Sequence, residues 1–168
     1  MTRNLQCLAL LLTVLLSSAG AQEIPAEIQG RWVVSRIIPT RTITCWDQKQ
    51  ADRLIGTEID YTPETLHWQD LIVNHPSIGV SEITAEQFHH EYSGGGAADS
   101  QVDFRQLGIK TASVRRIVLT HEELRDLGGE YVVPGDEVLI KNSNTIIFSA
   151  CNVYFEARRK LALGYRKK

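Results

Sequence analysis

Apolar and polar residues alternate along several short stretches of the chain, which is the two-residue period of a half-buried β-strand. The clearest stretch is 151–158, in which every second residue from Cys151 to Ala157 is apolar. The residues between them would lie on a solvent-facing side, as in many antiparallel sheets. Other stretches are rich in β-branched and aromatic residues and are bounded by Gly, Pro, Asn or Asp. These predicted strands are 31–38, 57–61, 66–71, 113–120, 130–133, 137–141 and 145–149.

Short helices are predicted where a capping box precedes a few helix-forming residues. Asp47 and Thr84 each have a glutamine three residues later, the spacing at which two side chains satisfy each other's backbone N–H groups. The run 93–100 contains three consecutive glycines and is the clearest predicted loop. The pattern between 72 and 82 is ambiguous. The predicted helices and capped turns are 47–54, 84–92 and 103–107.

These elements define a mainly β protein. Seven or eight short strands at this spacing are typical of a barrel or a sandwich. We favour an antiparallel up-and-down barrel of about eight strands with short inserted helices, because pairing the first strong strand with the last would leave no sheet edge exposed. No repeat or change of composition divides the chain, so residues 22–168 are predicted to form one domain of ordinary size.

The first 21 residues have the composition of a secretory signal peptide. Arg3 precedes an apolar run at 8–16, and small residues follow before the polar Gln22. The apolar run has roughly half the length that a helix needs to span a bilayer. We therefore expect a periplasmic or secreted mature protein with no transmembrane segment. An uncleaved N-terminal anchor is the alternative.

Two of the three cysteines, Cys45 and Cys151, fall in the predicted mature chain. Two cysteines in an exported protein most simply form one disulfide. This bond would close a loop of about 105 residues and stabilise the fold by up to about 4–5 kcal/mol on the chain-entropy model. Two free thiols or a catalytic cysteine are the alternatives, although no activating motif surrounds either residue.

Gly30, Arg31 and Trp32 open the first predicted strand directly after a short helical turn. This element resembles the Gly-x-Trp motif that opens the lipocalins, and the mature length and a disulfide to a late cysteine are also similar to that family. The resemblance implies an eight-stranded barrel in which the Trp packs across one end against a basic residue of a late strand. Arg158 or Arg159 could supply that residue. The inserted helices depart from the usual layout of the family.

The expected function is an exported barrel that binds a small apolar or amphipathic ligand in its interior. The alternative is a periplasmic protein-binding or inhibitor-type protein that acts through surface loops such as 93–100. A packed interior would favour this alternative, and a hollow one would favour the ligand. The candidate ligand-binding residues are Trp32, Tyr61, Trp68, Phe148 and Phe155.

The polar residues match no catalytic or metal-binding motif. The five histidines lack metal-ligand spacing, and no serine lies in a nucleophile elbow. Glu58 and Asp60 alternate with Ile59 and Tyr61, so they are predicted to form a solvated strand face rather than a catalytic carboxylate pair. We therefore expect no enzymatic activity, no metal and no cofactor.

The charge of the chain argues against nucleic acid as a partner. The full chain has a formal net charge of −2, whereas nucleic-acid binding favours a strongly basic domain. Basic residues concentrate in the tail 158–168. This tail is predicted to be a solvated terminus, and binding to an anionic lipid or polyanion is the alternative.

Overall fold

The computed structural model describes residues 22–39, 47–92, 102–121, 133–151 and 153–161. The predicted signal peptide, the loop 93–100, Cys45 and the end of the basic tail lie outside these ranges, as do residues 130–132 of one predicted strand. The strands are β1 Gly30–Ile38, β2 Glu58–Tyr61, β3 Thr65–Trp68, β4 Leu71–Asn74, β5 Ser77–Thr84, β6 Ser113–Thr120, β7 Glu137–Asn142, β8 Thr145–Ala150 and β9 Val153–Arg159. The helices are α1 Gln48–Asp52, α2 Ala85–Tyr92 and α3 Phe104–Leu107.

The nine strands form one antiparallel sheet in the order β4-β3-β2-β1-β9-β8-β7-β6-β5. The sheet curls into a half-barrel. The mainly β class, the inserted short helices and the pairing of the first strand with the last are confirmed. The count of eight strands and the closed barrel are not: there are nine strands, and among the described residues β4 and β5 do not pair with each other.

The two edges of the sheet come from one short stretch of chain. β4 and β5 are separated only by His75 and Pro76. Because every neighbouring pair in the sheet is antiparallel, β4 and β5 run in the same direction. The chain therefore bends at this point instead of turning back, pairing first with β3 and then with β6. The predicted strand 66–71 is divided by the turn between β3 and β4. The ambiguous stretch 72–82 contributes to both β4 and β5.

One face of the sheet carries the larger hydrophobic core, here called the inner core. The residues that precede β1 contain a turn at 25–28, here called the N-terminal turn. Ile24 and Ile28 from this segment join the strand residues of the core, as do Ala51 of α1 and Leu54 just after it. These additions fill the space that the curl of the sheet encloses. The inner core includes Trp32, Val34, Ile59, Tyr61, Leu66, Val73, Ile117, Leu119, Val138, Ile146, Phe148, Phe155 and Ala157.

The opposite face carries a second hydrophobic cluster, here called the outer cluster. Helices α2 and α3 cover this face through Phe88, Phe104 and Leu107, which pack against residues such as Tyr154. The prediction that β9 is half-buried is therefore wrong, because both of its faces are covered. The buried Glu156 on the polar side of β9 is a consequence of this second layer.

The predicted capping boxes of α1 and α2 are present. Asp47 accepts from the backbone N–H of Gln50 at 2.7 Å, and the Gln50 side chain accepts from the Asp47 N–H at 2.7 Å. Thr84 and Gln87 make the same reciprocal pair. The described helices are all too short to cross a membrane.

Candidate functional site

The N-terminal turn is fastened to the last strand by an Arg–Trp pair. The Arg159 guanidinium carbon lies 4.1 Å from the Trp32 ring centroid. Arg159 also donates to the carbonyl oxygens of Glu27, at 2.6 Å, and of Gln29. The Trp32 indole donates to the Ile28 carbonyl at 2.6 Å. The resemblance implied that Arg158 or Arg159 packs against the Trp, and the residue that does so is Arg159.

Arg158 belongs instead to a charged cluster on the outer face of β9. The Glu156 carboxylate is buried and accepts from Arg36 at 2.9 Å and from Lys141 at 3.0 Å, with Arg158 at 3.4 Å. Burial alone would raise the pKa of Glu156, but the bonds from Arg36 and Lys141 hold it below its usual value. Lys141 also donates to the Leu107 carbonyl at 3.2 Å, so the cluster fastens α3 to the sheet.

Four of the five predicted ligand-binding residues are packed within the inner core. Trp32, Tyr61, Phe148 and Phe155 are each exposed by 1% or less. The rings of Phe148 and Phe155 stack with centroids 5.2 Å apart. These four side chains therefore contact protein on nearly all sides.

Tyr61 links β2 to the distant turn between β6 and β7. Its hydroxyl donates to the Gly135 carbonyl at 2.7 Å. A side chain at Gly135 would clash, because a Cβ there would lie 2.4 Å from the Tyr61 oxygen, and the backbone φ is +88°. Burial, with a contribution from the Asp136 charge, raises the pKa of Tyr61, so the phenol stays protonated as a hydrogen-bond donor.

Trp68 differs from the other four candidates. It is half-buried against the inner core at the end of β3, and its cross-strand partner is Leu71, which is also half-buried. The Trp68 indole nitrogen is buried and finds no acceptor among the described residues. A buried donor without a partner costs about 1–3 kcal/mol. A polar atom of a ligand at this position would remove that cost.

The turn that receives Tyr61 also holds a carboxyl with an unusual pKa. Burial, and then the neighbouring charge of Glu137, raises the pKa of Asp136 to about 7. The His121 Nε2 lies 3.7 Å from an Asp136 carboxylate oxygen. No sequence motif indicated this contact, because Pro134-Gly135-Asp136 resembles an ordinary turn.

The outer face of β2 and β3 is polar, as predicted for Glu58 and Asp60. The carboxylate of Glu58 pairs with Lys160, and that of Asp60 lies 3.7 Å from Arg31. Together with His67 they line a surface groove of about 380 Å³. Because basic side chains already neutralise both carboxylates, this groove is a solvated strand face. Within the described ranges, no group of three or more His, Cys, Asp or Glu is placed to hold a metal.

Cys151 lies just before β9 rather than within it. It has a positive φ of 52°, it is largely buried, and it is not a free thiol. Because Cys45 lies outside the described residues, the Cys45–Cys151 disulfide stays a prediction.

Comparisons with protein-family models, with characterised proteins and with solved structures found no match to this chain.

Proposed function

We propose that the mature chain is an exported binding protein for a small apolar or amphipathic molecule, held beside Trp68 and Leu71. The observation that carries this proposal is the buried, unpaired N–H of Trp68 among half-buried apolar side chains. Binding sites of this kind are mostly apolar, with a few polar groups that fix the orientation of the ligand. Trp68 supplies both an apolar ring and one donor.

The resemblance to the lipocalins supports the same proposal. Arg159 stacks on Trp32 and binds the N-terminal turn, which is the arrangement that the resemblance implies for one end of the barrel. If β4 and β5 are counted as one strand interrupted at Pro76, the strand order is that of an eight-stranded up-and-down barrel. We propose that the chain is a lipocalin-like barrel in this sense.

The packed inner core limits where the ligand lies. Trp32, Tyr61, Phe148 and Phe155 have almost no exposed surface, so the ligand does not rest against them in this conformation. It inserts instead at Trp68, with an acceptor atom toward the indole nitrogen and its apolar part toward Leu71.

Two inner-face variants and one outer-face control test the proposal. Trp68→Phe removes the donor and keeps an apolar ring, and Leu71→Ala removes apolar contact. Ile72→Ala removes a side chain that is 50% exposed on the other face of the same strand. The probes are the fluorescent amphiphile 1-N-phenylnaphthylamine and lauric acid as its competitor, measured by fluorescence titration.

We expect lauric acid to bind the wild type and Ile72→Ala equally. Trp68→Phe is expected to weaken binding about fivefold or more, because one hydrogen bond contributes roughly 1 kcal/mol. Leu71→Ala is expected to weaken binding of both probes. Failure of either probe to bind the wild type, or equal weakening in Ile72→Ala, would refute the site.

The close packing of the inner core favours a second candidate, a protein-binding or inhibitor-type protein. Its predicted contact loop, 93–100, lies outside the described residues. Replacing the three glycines at 94–96 by serines and measuring capture of a partner from the exported fraction tests this candidate. Capture that depends on the glycines, with no binding of either amphiphile, would select it over the ligand.

A further inference from the structure

Three residues form a row across the inner face of the sheet, one on each of three neighbouring strands. Leu71 lies opposite Trp68, and Trp68 lies opposite Ile59. All three belong to the inner core or pack against it. Because neighbouring strands lie about 4.8 Å apart, the row from Leu71 to Ile59 spans roughly 10 Å. A ligand that lies over Leu71 and Trp68 and is longer than this row therefore reaches Ile59.

A turn of the chain already covers the Ile59 end of this row. The segment 133–136, here called the interior turn, directly precedes β7, and its first three residues are buried. Val133 belongs to the inner core. A Cβ at Gly135 would lie 3.2 Å from the Ile59 Cδ1, so the backbone of the interior turn packs directly on Ile59. The interior turn therefore occupies the space into which a long ligand would extend.

A side-chain bond and a backbone bond hold the interior turn in this position. The Tyr61 hydroxyl of β2 donates to the Gly135 carbonyl at 2.7 Å. The Leu119 N–H of β6 donates to the Asp136 carbonyl at 2.6 Å. Loss of the Tyr61 bond would weaken the hold on the turn without removing an apolar contact, because the Tyr61 ring would remain in the inner core.

The interior turn also carries a carboxyl group out of water. Burial, and then the charge of Glu137, raises the pKa of Asp136 to about 7. Within the described residues, the other titratable groups that face this carboxyl are His121, whose Nε2 is 3.7 Å away, and the Tyr61 hydroxyl. An ionised Asp136 gains hydration when the turn leaves the interior. The position of the turn therefore loses stability as the pH rises through 7.

We infer that the interior turn is an autoinhibitory contact, which occupies the place over Ile59 and is displaced by a long amphiphile bound at Trp68. The inference rests on the ligand site proposed at Trp68 and adds the regulation of that site. On displacement, the ligand replaces the contact between the turn and Ile59, and the bond from Tyr61 to Gly135 breaks. Tyr61 therefore weakens the binding of long ligands, and ionisation of Asp136 favours their binding.

Displacement of 1-N-phenylnaphthylamine by 1-hexanol and 1-dodecanol tests the inference, because neither alcohol titrates. Tyr61→Phe removes the bond to Gly135 and keeps the ring. We expect this variant to bind 1-dodecanol about threefold to tenfold more tightly than the wild type does, since one hydrogen bond no longer holds the turn. The short 1-hexanol can stay over Leu71 and Trp68, so its affinity is expected to change less than about twofold.

Phe88→Leu is the matched control for a general loss of stability. Phe88 is buried in the outer cluster, away from the interior turn. The affinity of this variant for both alcohols is expected to equal that of the wild type. Binding of both alcohols with no gain for 1-dodecanol in Tyr61→Phe, or an equal gain in Phe88→Leu, would overturn this inference and leave the Trp68 site standing. No binding of either alcohol to the wild type or to Tyr61→Phe would overturn both.

Amide hydrogen exchange tests the release of the turn without a ligand, even if Tyr61→Phe is poorly folded. The Leu119 N–H is bound to the turn, and the Ile24 N–H, bound to the Pro63 carbonyl at 2.7 Å, is the control. After correction for the intrinsic rate, we expect the protection of Leu119 to fall at least about tenfold between about pH 5 and 8. Protection of Ile24 is expected to change less, and Asp136→Asn should remove the difference. An equal change at the two amides, or none at Leu119, would overturn the inference.

Discussion

Replacing Arg159 by alanine is expected to destabilise the fold by about 2–5 kcal/mol. The guanidinium stacks over Trp32 at 4.1 Å and donates to the carbonyls of Glu27, Gln29 and Ser143. A stacked cation contributes about 0.5–2 kcal/mol. Each half-exposed hydrogen bond adds roughly 0.5–1 kcal/mol, less than a fully buried one.

Arg159→Lys separates the stacking from the hydrogen bonds. Lysine keeps a cation that can lie over Trp32, but it cannot reach three carbonyls with a planar fork of donors. We expect Arg159→Lys to recover less than half of the stability lost in Arg159→Ala. Arg158→Ala is the matched control, because Arg158 is exposed and lies 3.4 Å from Glu156. Its cost is expected to be below about 1 kcal/mol.

Urea unfolding of the oxidised mature protein, followed by tryptophan fluorescence, measures these differences. The Arg159→Ala transition is expected at lower urea with an unchanged slope, together with a fall in Tm of about 5–12 °C. A loss below about 0.5 kcal/mol, or an equal loss in Arg158→Ala, would refute the reasoning that Arg159 fastens the N-terminal turn.

Three further predictions concern other parts of the fold. Gly135→Ala places a Cβ 2.4 Å from the Tyr61 hydroxyl at a positive φ, so we expect a loss of about 2–4 kcal/mol in urea unfolding, partly recovered in Gly135→Ala with Tyr61→Phe. We expect Cys45 and Cys151 to form a disulfide, so the mature protein should weigh about two hydrogens less than its reduced form, and Cys151→Ser should lower Tm. The pKa of Asp136 is about 7 in the folded state against 3.8 ordinarily, so the folded protein favours the protonated carboxyl. The free energy of unfolding is therefore expected to be highest below about pH 4 and to fall as the pH rises through 7. Urea unfolding of Asp136→Asn should show a smaller loss of stability over that pH range, and an unchanged loss would contradict the assignment.

Local patterns in the sequence predicted much of the fold. Backbone propensity accounts for the strands near 31–38 and 113–120. Hydrogen bonds within four residues account for the helix capping boxes at Asp47 and Thr84. These are interactions that a short window contains in full. The break between β4 and β5 could not be predicted in this way. It depends on which strand the chain meets on either side, and β3 and β6 lie far from each other in sequence.

The candidate site shows a similar limit. Trp68 and Phe155 are both inward-facing aromatic residues, and a two-residue period does not distinguish a packed core position from a ligand-lining one. Only the coordinates show that Phe155 is stacked on Phe148 while the Trp68 indole nitrogen has no partner in the described chain. The burial of Glu156 could not be predicted either. The alternation of residues in β9 indicated a solvated polar face, but α2 and α3 cover the outer face of the sheet.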